Sequence, residues 1–207
     1  MIDRVIFSLS QDRFEPYLKA AGFEEERAIK LYVWNLNLSS AFYPLLASIE
    51  VALRNNVIAC LAQAFGSIWW ESEQFHDLLG KGGKGILLRA VKEVVDADRT
   101  LTEGRVTAEL SFGFWTNMFL PKYEEHLWAG FCRQATLDSA VTREKLLERC
   151  NKIRALRNRI SHHETLITRD ITRDYSETVE LLHWICPETA KWIRPELKIM
   201  SVVRQRP

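Results

Sequence analysis

Apolar residues recur at intervals of three and four along most of the chain instead of alternating, a spacing typical of amphipathic helices. Only six prolines and nine glycines interrupt the pattern. The spacing therefore predicts an all-α protein with few long connections.

Capping residues set the predicted helix bounds in the first third of the chain. A short helix is predicted over residues 10–21, with Ser10 as its N-cap and Gly22 at the turn that ends it. A second is predicted over 24–36. Because residues 37–40 offer short polar capping side chains, we expect a break there and a new apolar helix over 41–65.

Farther along, the run GKGGKG at residues 80–85 predicts a flexible loop, since glycines destabilise helix interiors. Helices are then predicted over 86–100, 105–120 and 123–134, and over 175–192 with an interruption near Pro187. A long helix begins at Arg143, and its apolar face is formed by Leu146, Leu147, Cys150, Ile153, Leu156 and Ile160. This helix runs into the polar stretch RNRISHHE, residues 157–164.

The composition is that of a globular protein, with 47% hydrophobic and 27% charged residues among 207. That length predicts a single domain over residues 1–207. The four cysteines form no C-x-x-C pair, so they are interpreted as small buried hydrophobic residues instead of metal ligands or disulfides. With no signal peptide and no long apolar run recognised, we expect a cytoplasmic protein that does not associate with membranes.

The net charge of +1 hides a basic segment. Between residues 149 and 173 there are seven arginines or lysines and two acidic residues, which gives a local charge of +5. Such a segment can bind a phosphate backbone. We expect RNA contacts from three of its cations, Lys152, Arg154 and Arg159.

The polar stretch at the end of the long helix combines a permanent cation with a titratable base. Arginine suits phosphate oxygens, and histidine exchanges protons near neutral pH. This pair suits metal-independent cleavage of RNA, in which the 2′-hydroxyl of the substrate is the nucleophile. The same residues also fit a solvated basic helix end with capping histidines, and the local chemistry does not decide between the two interpretations.

Helix geometry separates the members of the stretch. Asn158 and His162 are four residues apart, so they lie one turn from each other on the same face. Arg157 and His162 are five apart, about 140° around an ideal helix. They can converge on one ligand only if the helix bends or a second copy of the chain supplies the other wall.

Three stretches together resemble a known family. Arg157-Asn158-x-x-x-His162 resembles the R-x(4-6)-H motif of the HEPN superfamily of small helical proteins. The other two stretches run from Tyr32-x-x-Asn35 through Glu50-Val51-Ala52-Leu53-Arg54-Asn55, and from Val106 to Trp115. In this order and at this spacing they resemble the Abi-like proteins, the abortive-infection branch of that superfamily, over residues 10–192.

The resemblance implies a HEPN-like helical bundle with additional flanking helices, and a phage-defence or toxin ribonuclease that needs neither metal nor other cofactor. Arg157, Asn158 and His162 would be the catalytic residues, with His163 as the alternate histidine. Glu50 and Arg54 would brace the motif helix by pairing with Arg157 or Asn158, although they also fit an ion pair on a solvated helix face. RNA would be the substrate, a homodimer would complete the site, and an antitoxin or non-coding RNA is a conceivable partner.

Two other functions stay open. A noncatalytic HEPN module would bind RNA or a protein, with Arg157 as a phosphate anchor and His162 as a structural cap. A helical scaffold without a nucleic-acid role would lose no binding when its basic residues are neutralised.

Overall fold

The computed structural model of the chain describes residues 2–135 and 137–207. The protein is 79% helical, and the described residues contain no β-strand. The predicted all-α class is therefore confirmed. The α-helices, in chain order, are α1 (Ile2–Leu9), α2 (Gln11–Ala20), α3 (Glu25–Phe65), α4 (Glu73–Asp96), α5 (Glu103–Glu109), α6 (Phe112–Asn117), α7 (Ala129–Gln134), α8 (Arg143–Ser161), α9 (Ile171–Ile185), α10 (Pro187–Ile193) and α11 (Ile199–Val203).

Short turns of other helix types connect some of these elements. Single 3-10 turns occur at Trp69–Glu71, Pro121–Tyr123 and Arg194–Glu196, and a π-helical turn, Glu124–Trp128, precedes α7. The interruption predicted near Pro187 is confirmed, because α9 ends at Ile185 and α10 begins at Pro187.

The first predicted helix is confirmed as α2, and Ser10 occupies its N-cap position as predicted. Its side chain makes no capping hydrogen bond, however, and its φ is 67. Gly22 does adopt the left-handed conformation after the helix, with φ 66, as predicted. Helix α1, which precedes Ser10, was not predicted.

The break predicted at residues 37–40 is wrong, because α3 continues through them for 41 residues. A buried stripe crosses this region without a change of phase: Leu31, Asn35, Leu38, Phe42 and Leu45 are each at most 2% exposed. Burial of this stripe outweighs the weak preference of short polar side chains for caps. The long helix is therefore stabilised by packing more than by local propensity.

The apolar character of α3 also bears on the expectation about membranes. One 18-residue window of the helix has a mean hydropathy of 1.5, so by length and composition α3 could cross a bilayer. Of that window, 39% is buried within the protein, and core helices of soluble proteins pass the same test. The finding is weak evidence for a span, and the cytoplasmic location stays a prediction.

The predicted glycine loop is instead part of α4. Only Gly80 leaves the helical region, with φ 67 and ψ 178, and it kinks the helix. Lys122 Nζ donates hydrogen bonds to the carbonyls of Leu78, at 2.9 Å, and Leu79, at 2.8 Å. A cation distant in sequence thus satisfies carbonyls beside the kink, which local sequence does not reveal.

The helix predicted over 105–120 is divided into α5 and α6. Leu110 between them is extended, with φ −92 and ψ 131, and only 4% exposed. Leu110 is buried although it lies in the break between the two helices. The apolar pattern therefore continues across residues 105–120, whereas the helix does not.

The four cysteines are reduced. Cys60 and Cys150 are buried, as predicted, whereas Cys132 and Cys186 are half-buried. Burial raises the pKa of the Cys60 thiol to about 11, which suits a packing role instead of a nucleophilic one.

The chain divides into two compact units. The first comprises Met1–Ser48, Lys152–Glu180 and Glu188–Pro207, and the second comprises Ile49–Asn151 and Leu181–Pro187. The single domain over residues 1–207 stays a prediction. The first unit is built around buried side chains of α2 and α3 with Leu166, and it contains the whole RNRISHHE stretch.

The second unit has an aromatic core. The ring centroids of Trp69 lie 5.6 Å from Trp70, 5.9 Å from Phe75 and 6.2 Å from Trp115, all in edge-on arrangements. Trp69 and Trp115 are fully buried. These tryptophans therefore pack the core and are not exposed for stacking on bases.

Candidate functional site

The C-terminal half of α8 is attached to the first unit by one face. Ile153 is 2% exposed, Leu156 is 1% exposed, and Ile160 is half-buried. Leu146 and Cys150, earlier in the helix, are fully buried. The predicted apolar face is therefore confirmed, and it fixes which side chains of the polar stretch reach solvent.

A Schellman arrangement ends this helix. The N–H of His162 donates to the Asn158 carbonyl at 2.9 Å, so the α-helical turn includes His162. The N–H of His163 then donates to Ile160 at 3.1 Å, and that of Glu164 donates to Arg159 at 2.9 Å. His163 has φ 56, the left-handed conformation that glycine usually supplies at this position. The two adjacent histidines thus have different backbone conformations.

Two of the three predicted catalytic side chains lie on the solvent side of the helix end. Asn158 and His162 are exposed and one turn apart, in line with Ala155, which is also exposed. Arg157 is half-buried at the edge of the apolar face. Because α8 has no kink in this region, Arg157 and His162 stay about 140° apart around the helix axis, as the sequence indicated.

Side chains from α2 and α3 hold the segment that follows α8. Arg13 Nη1 donates to the carbonyls of His162, at 3.3 Å, and His163, at 3.2 Å. A cation at this position also offsets the partial negative charge of a helix C-terminus. Asn35 Oδ1 accepts a hydrogen bond from the Leu166 N–H at 2.7 Å.

A third contact joins the same segment to α2. The Tyr17 hydroxyl shares a hydrogen bond with Thr165, and burial raises the pKa of this tyrosine. Tyr17 is 1% exposed, and Asn35 is 2% exposed. The motif end is therefore held by buried polar groups on two other helices.

Sequence reasoning missed these holding residues. Arg13 left no local signal, because an exposed arginine in a short helix is ordinary. Asn35 did leave one: it is an amide within the buried stripe of α3, where an unpaired polar group would be costly. The sequence could have indicated that the Asn35 side chain needs a hydrogen-bond partner, but not that this partner is the Leu166 N–H.

Two of the predicted RNA-binding cations have acidic neighbours. Lys152 Nζ lies 3.8 Å from Glu177 Oε1, and Arg159 Nε lies 3.1 Å from Glu164 Oε2. The Arg159–Glu164 pair is partly exposed at both side chains, whereas in the Lys152–Glu177 pair the glutamate is only 18% exposed. The prediction that Lys152, Arg154 and Arg159 bind RNA is compatible with this geometry and stays a prediction.

The basic segment is less basic in the fold than in the sequence count. Arg169 forms two hydrogen bonds of 2.6 Å with the Asp174 carboxylate, and Arg173 Nε lies 3.1 Å from Glu177. Asp174 and Glu177 lie just beyond the window that gave +5, and including them lowers the local charge to +3. The helical turn at the start of α9 therefore brings acids to the basic residues.

Two cavities lie along the end of α8. The first, which we call the α2–α8 pocket, has a volume of about 390 Å³ and is lined by residues of α2 and of the segment around His163. The second has a volume of about 530 Å³ and is lined largely by the charged residues of α8 and α9. Arg159 lines both. Arg157, Asn158 and His162 line neither.

Glu50 and Arg54 lie one turn apart on α3, in the second unit, and both are half-buried. Arg54 Nε is buried and has no hydrogen-bond partner among the described residues. The expectation that this pair braces Arg157 or Asn158 stays a prediction.

In the part of the chain that the structure describes, no group of three or more His, Cys, Asp or Glu side chains is arranged to hold a metal ion.

The fold places the chain among all-helical proteins, and its candidate site combines an arginine and a histidine at one helix end. The chain belongs to the Abi-like protein family, whose model matches residues 5–168. The match begins earlier than expected and ends just after the motif, so α9, α10 and α11 lie beyond it, although the expected resemblance extended to residue 192.

Membership of this family associates the chain with abortive infection, a form of phage defence, and is compatible with a nuclease role. No curated protein and no solved structure shows significant similarity to the chain.

Proposed function

We propose that this Abi-like protein is a metal-independent endoribonuclease of phage defence, with a HEPN-type site formed by Arg157, Asn158 and His162. The observation that carries the proposal is the exposed end of α8, where His162 lies one helical turn from Asn158 with Arg157 on the adjoining flank. Family membership supplies the biological setting.

The proposed reaction uses the 2′-hydroxyl of the RNA. His162 removes the proton of this hydroxyl, whose oxygen then attacks the adjacent phosphorus. The bond from phosphorus to the 5′-oxygen breaks, that oxygen takes up a proton from water, and the imidazolium of His162 later returns its proton to the solvent. The products are a 2′,3′-cyclic phosphate and a 5′-hydroxyl. The Arg157 guanidinium stabilises charge on the phosphoryl oxygens, and Asn158 orients the histidine.

A homodimer solves the geometric problem of the site. Arg157 and His162 are about 140° apart around a straight helix, so within one chain their side chains point in different directions. In an isologous dimer, the His162 of one chain faces the Arg157 of the other. Exposed Ala155, in line with Asn158 and His162, offers a small side chain where a second helix can approach closely.

The main test is cleavage of single-stranded RNA in EDTA. The wild type is expected to cut, and His162→Ala is expected to lose about 10²- to 10⁴-fold in rate, as is usual for a general base. His183→Ala is the matched control, because His183 is an exposed histidine on α9. Loss of wild-type activity on chelation, or an unchanged rate in His162→Ala, contradicts the mechanism. Tight RNA binding without cleavage of any RNA supports the noncatalytic alternative.

The dimer can be tested by complementation. Arg157→Ala and His162→Ala should each be inactive alone, whereas an equal mixture that exchanges subunits should recover about a quarter of the wild-type activity. Half of the dimers are then mixed, and each has one intact composite site. A mixture that stays inactive, or a solution mass near 24.1 kDa, excludes a site shared between chains.

A further inference from the structure

The α2–α8 pocket has no part in the cleavage chemistry proposed above. Its volume of about 390 Å³ lies within the range of about 300 to 1,000 Å³ that ligand pockets occupy. It adjoins the motif through His163, whose Cα is about 3.8 Å from that of His162. The pocket and the proposed base are therefore close enough for one RNA strand to reach both.

The charges of the pocket do not favour a phosphate. It contains two arginines, Arg13 and Arg159, and two carboxylates, Asp12 and Glu164. Arg13 Nη1 donates to two backbone carbonyls, and Arg159 lies beside Glu164. The helix C-terminus adds partial negative charge. With its cations matched by anions, the pocket offers little net attraction to a phosphate group.

The same residues suit a flat polar ring. The His163 imidazole is exposed at the pocket edge, and Pro16 supplies an apolar wall that is half-buried. Imidazole rings stack on bases in many RNA complexes. The Asp12 and Glu164 carboxylates and the half-buried Thr165 hydroxyl provide hydrogen-bonding groups around such a ring.

We infer that the α2–α8 pocket binds one nucleobase of the RNA next to the cleaved bond, with a preference for bases that carry an exocyclic amino group. Adenine, cytosine and guanine can each donate such an amino hydrogen to Asp12 or Glu164, whereas uracil presents a carbonyl oxygen where cytosine has its amino group, and its single N3–H donor lies between two carbonyls. The inference rests on the proposed ribonuclease function and assigns it a base-selective subsite.

A binding experiment tests the subsite without requiring catalysis. Adenosine, cytidine and uridine monophosphates and ribose 5-phosphate are titrated into the isotopically labelled protein. The backbone amide resonances of residues 12–13 and 163–165 are followed by NMR. The adenine and cytosine nucleotides should shift these resonances at about tenfold lower concentration than the uracil nucleotide. Equal effects of the uracil nucleotide, or of ribose 5-phosphate, would overturn the inference.

Variants identify the carboxylates responsible. Asp12→Asn and Glu164→Gln should each reduce the discrimination against uracil severalfold while the protein stays folded, since both residues are exposed. Asp170→Asn is the control, because it removes the same charge from an exposed residue that does not line this pocket. If both pocket variants still discriminate against uracil, or if the control loses this discrimination equally, Asp12 and Glu164 are not the responsible carboxylates.

Mapping of cleavage sites separates this inference from the proposed function. On an RNA with randomised positions, cuts should concentrate where one nucleotide beside the cleaved bond is not uridine, and Asp12→Asn should relax that preference. Cleavage without any base preference overturns the subsite and leaves the ribonuclease in place. Selective nucleotide binding at residues 163–165 without any cleavage supports the pocket and removes the ribonuclease.

Discussion

The two ends of α8 use charged and polar side chains in opposite ways. At its start, Arg143 is only 6% exposed, and it donates to the Glu124 carboxylate at 2.9 Å, the Phe119 carbonyl at 2.7 Å and the Glu144 carboxylate. At its end, Asn158, His162 and His163 are exposed. One helix thus begins at a buried arginine, whose acidic partners are exposed, and ends in solvent.

The contrast shows that residue type alone does not distinguish structural from functional groups. Arg143 could bind phosphate by its chemistry, but its donors are directed at internal acceptors, so its role is in folding. The histidine side chains at the other end reach solvent, while their backbone carbonyls are held by Arg13. A held backbone with exposed side chains is what a binding site requires.

The largest expected effect is at the buried start of the helix. Arg143→Met should lower the free energy of unfolding by about 3 kcal/mol, because the Phe119 carbonyl loses its donor and the guanidinium contacts are removed. In a chain of this size the melting temperature should fall by roughly 6 to 12 °C, measured by calorimetry.

A matched change at the exposed end sharpens the comparison. His162→Ala should change the free energy of unfolding by less than about 0.5 kcal/mol, since the side chain is exposed. Below its melting temperature, Arg143→Met should keep whatever RNA cleavage the wild type has. If His162→Ala destabilised the protein as much as Arg143→Met, the two ends of α8 would not differ as described.

The second prediction concerns the contact that holds the motif segment from α3. Asn35→Ala should lower the free energy of unfolding by about 2 kcal/mol, because the Leu166 N–H loses its acceptor in a buried place. Amide hydrogen exchange at Leu166 should accelerate accordingly. The control is Asn37→Ala, an exposed asparagine on the same helix, for which a change within about 0.5 kcal/mol is expected. Similar losses in both variants would show that the Leu166 contact is not the source of the effect, since alanine itself favours helix more than asparagine does.

Periodicity predicted what depends on neighbours along one helix. The buried face of α8, the single-turn relation of Asn158 to His162 and the interruption at Pro187 all followed from spacing or from one proline. The continuity of α3 did not, because residues 37–40 favour a cap locally and only packing outweighs that preference.

The sequence pattern did not predict contacts between residues that are far apart in the sequence. Arg13 contacts backbone carbonyls about 150 residues away, and Lys122 contacts carbonyls beside the Gly80 kink. Acids just outside the counted basic segment reduced its charge once α9 folded back on α8. In each case the missing information was which segments meet, and a linear pattern does not encode that.

The smallest expected effect is a gain in stability, and it concerns the adjacent histidines. His163→Gly should raise the free energy of unfolding by about 1 kcal/mol, because His163 has φ 56 and glycine adopts that conformation without strain. His162→Gly is the control: His162 closes the last helical turn, so glycine there should lower stability by a few tenths of a kcal/mol. Urea unfolding measures both changes. A gain from both glycines would mean that the helix end is not the Schellman arrangement described.

The same pair of variants decides which histidine acts in the proposed cleavage. If His162 is the base, His163→Gly should be more stable than the wild type and still cut RNA, while its discrimination among nucleotides in the α2–α8 pocket weakens. If His163 is the base instead, the stabilised variant should lose cleavage, and the left-handed strain at His163 would then be stored at the reacting residue itself. Measuring stability and cleavage on one preparation separates these outcomes, because a rate lost together with a gain in stability cannot be ascribed to unfolding.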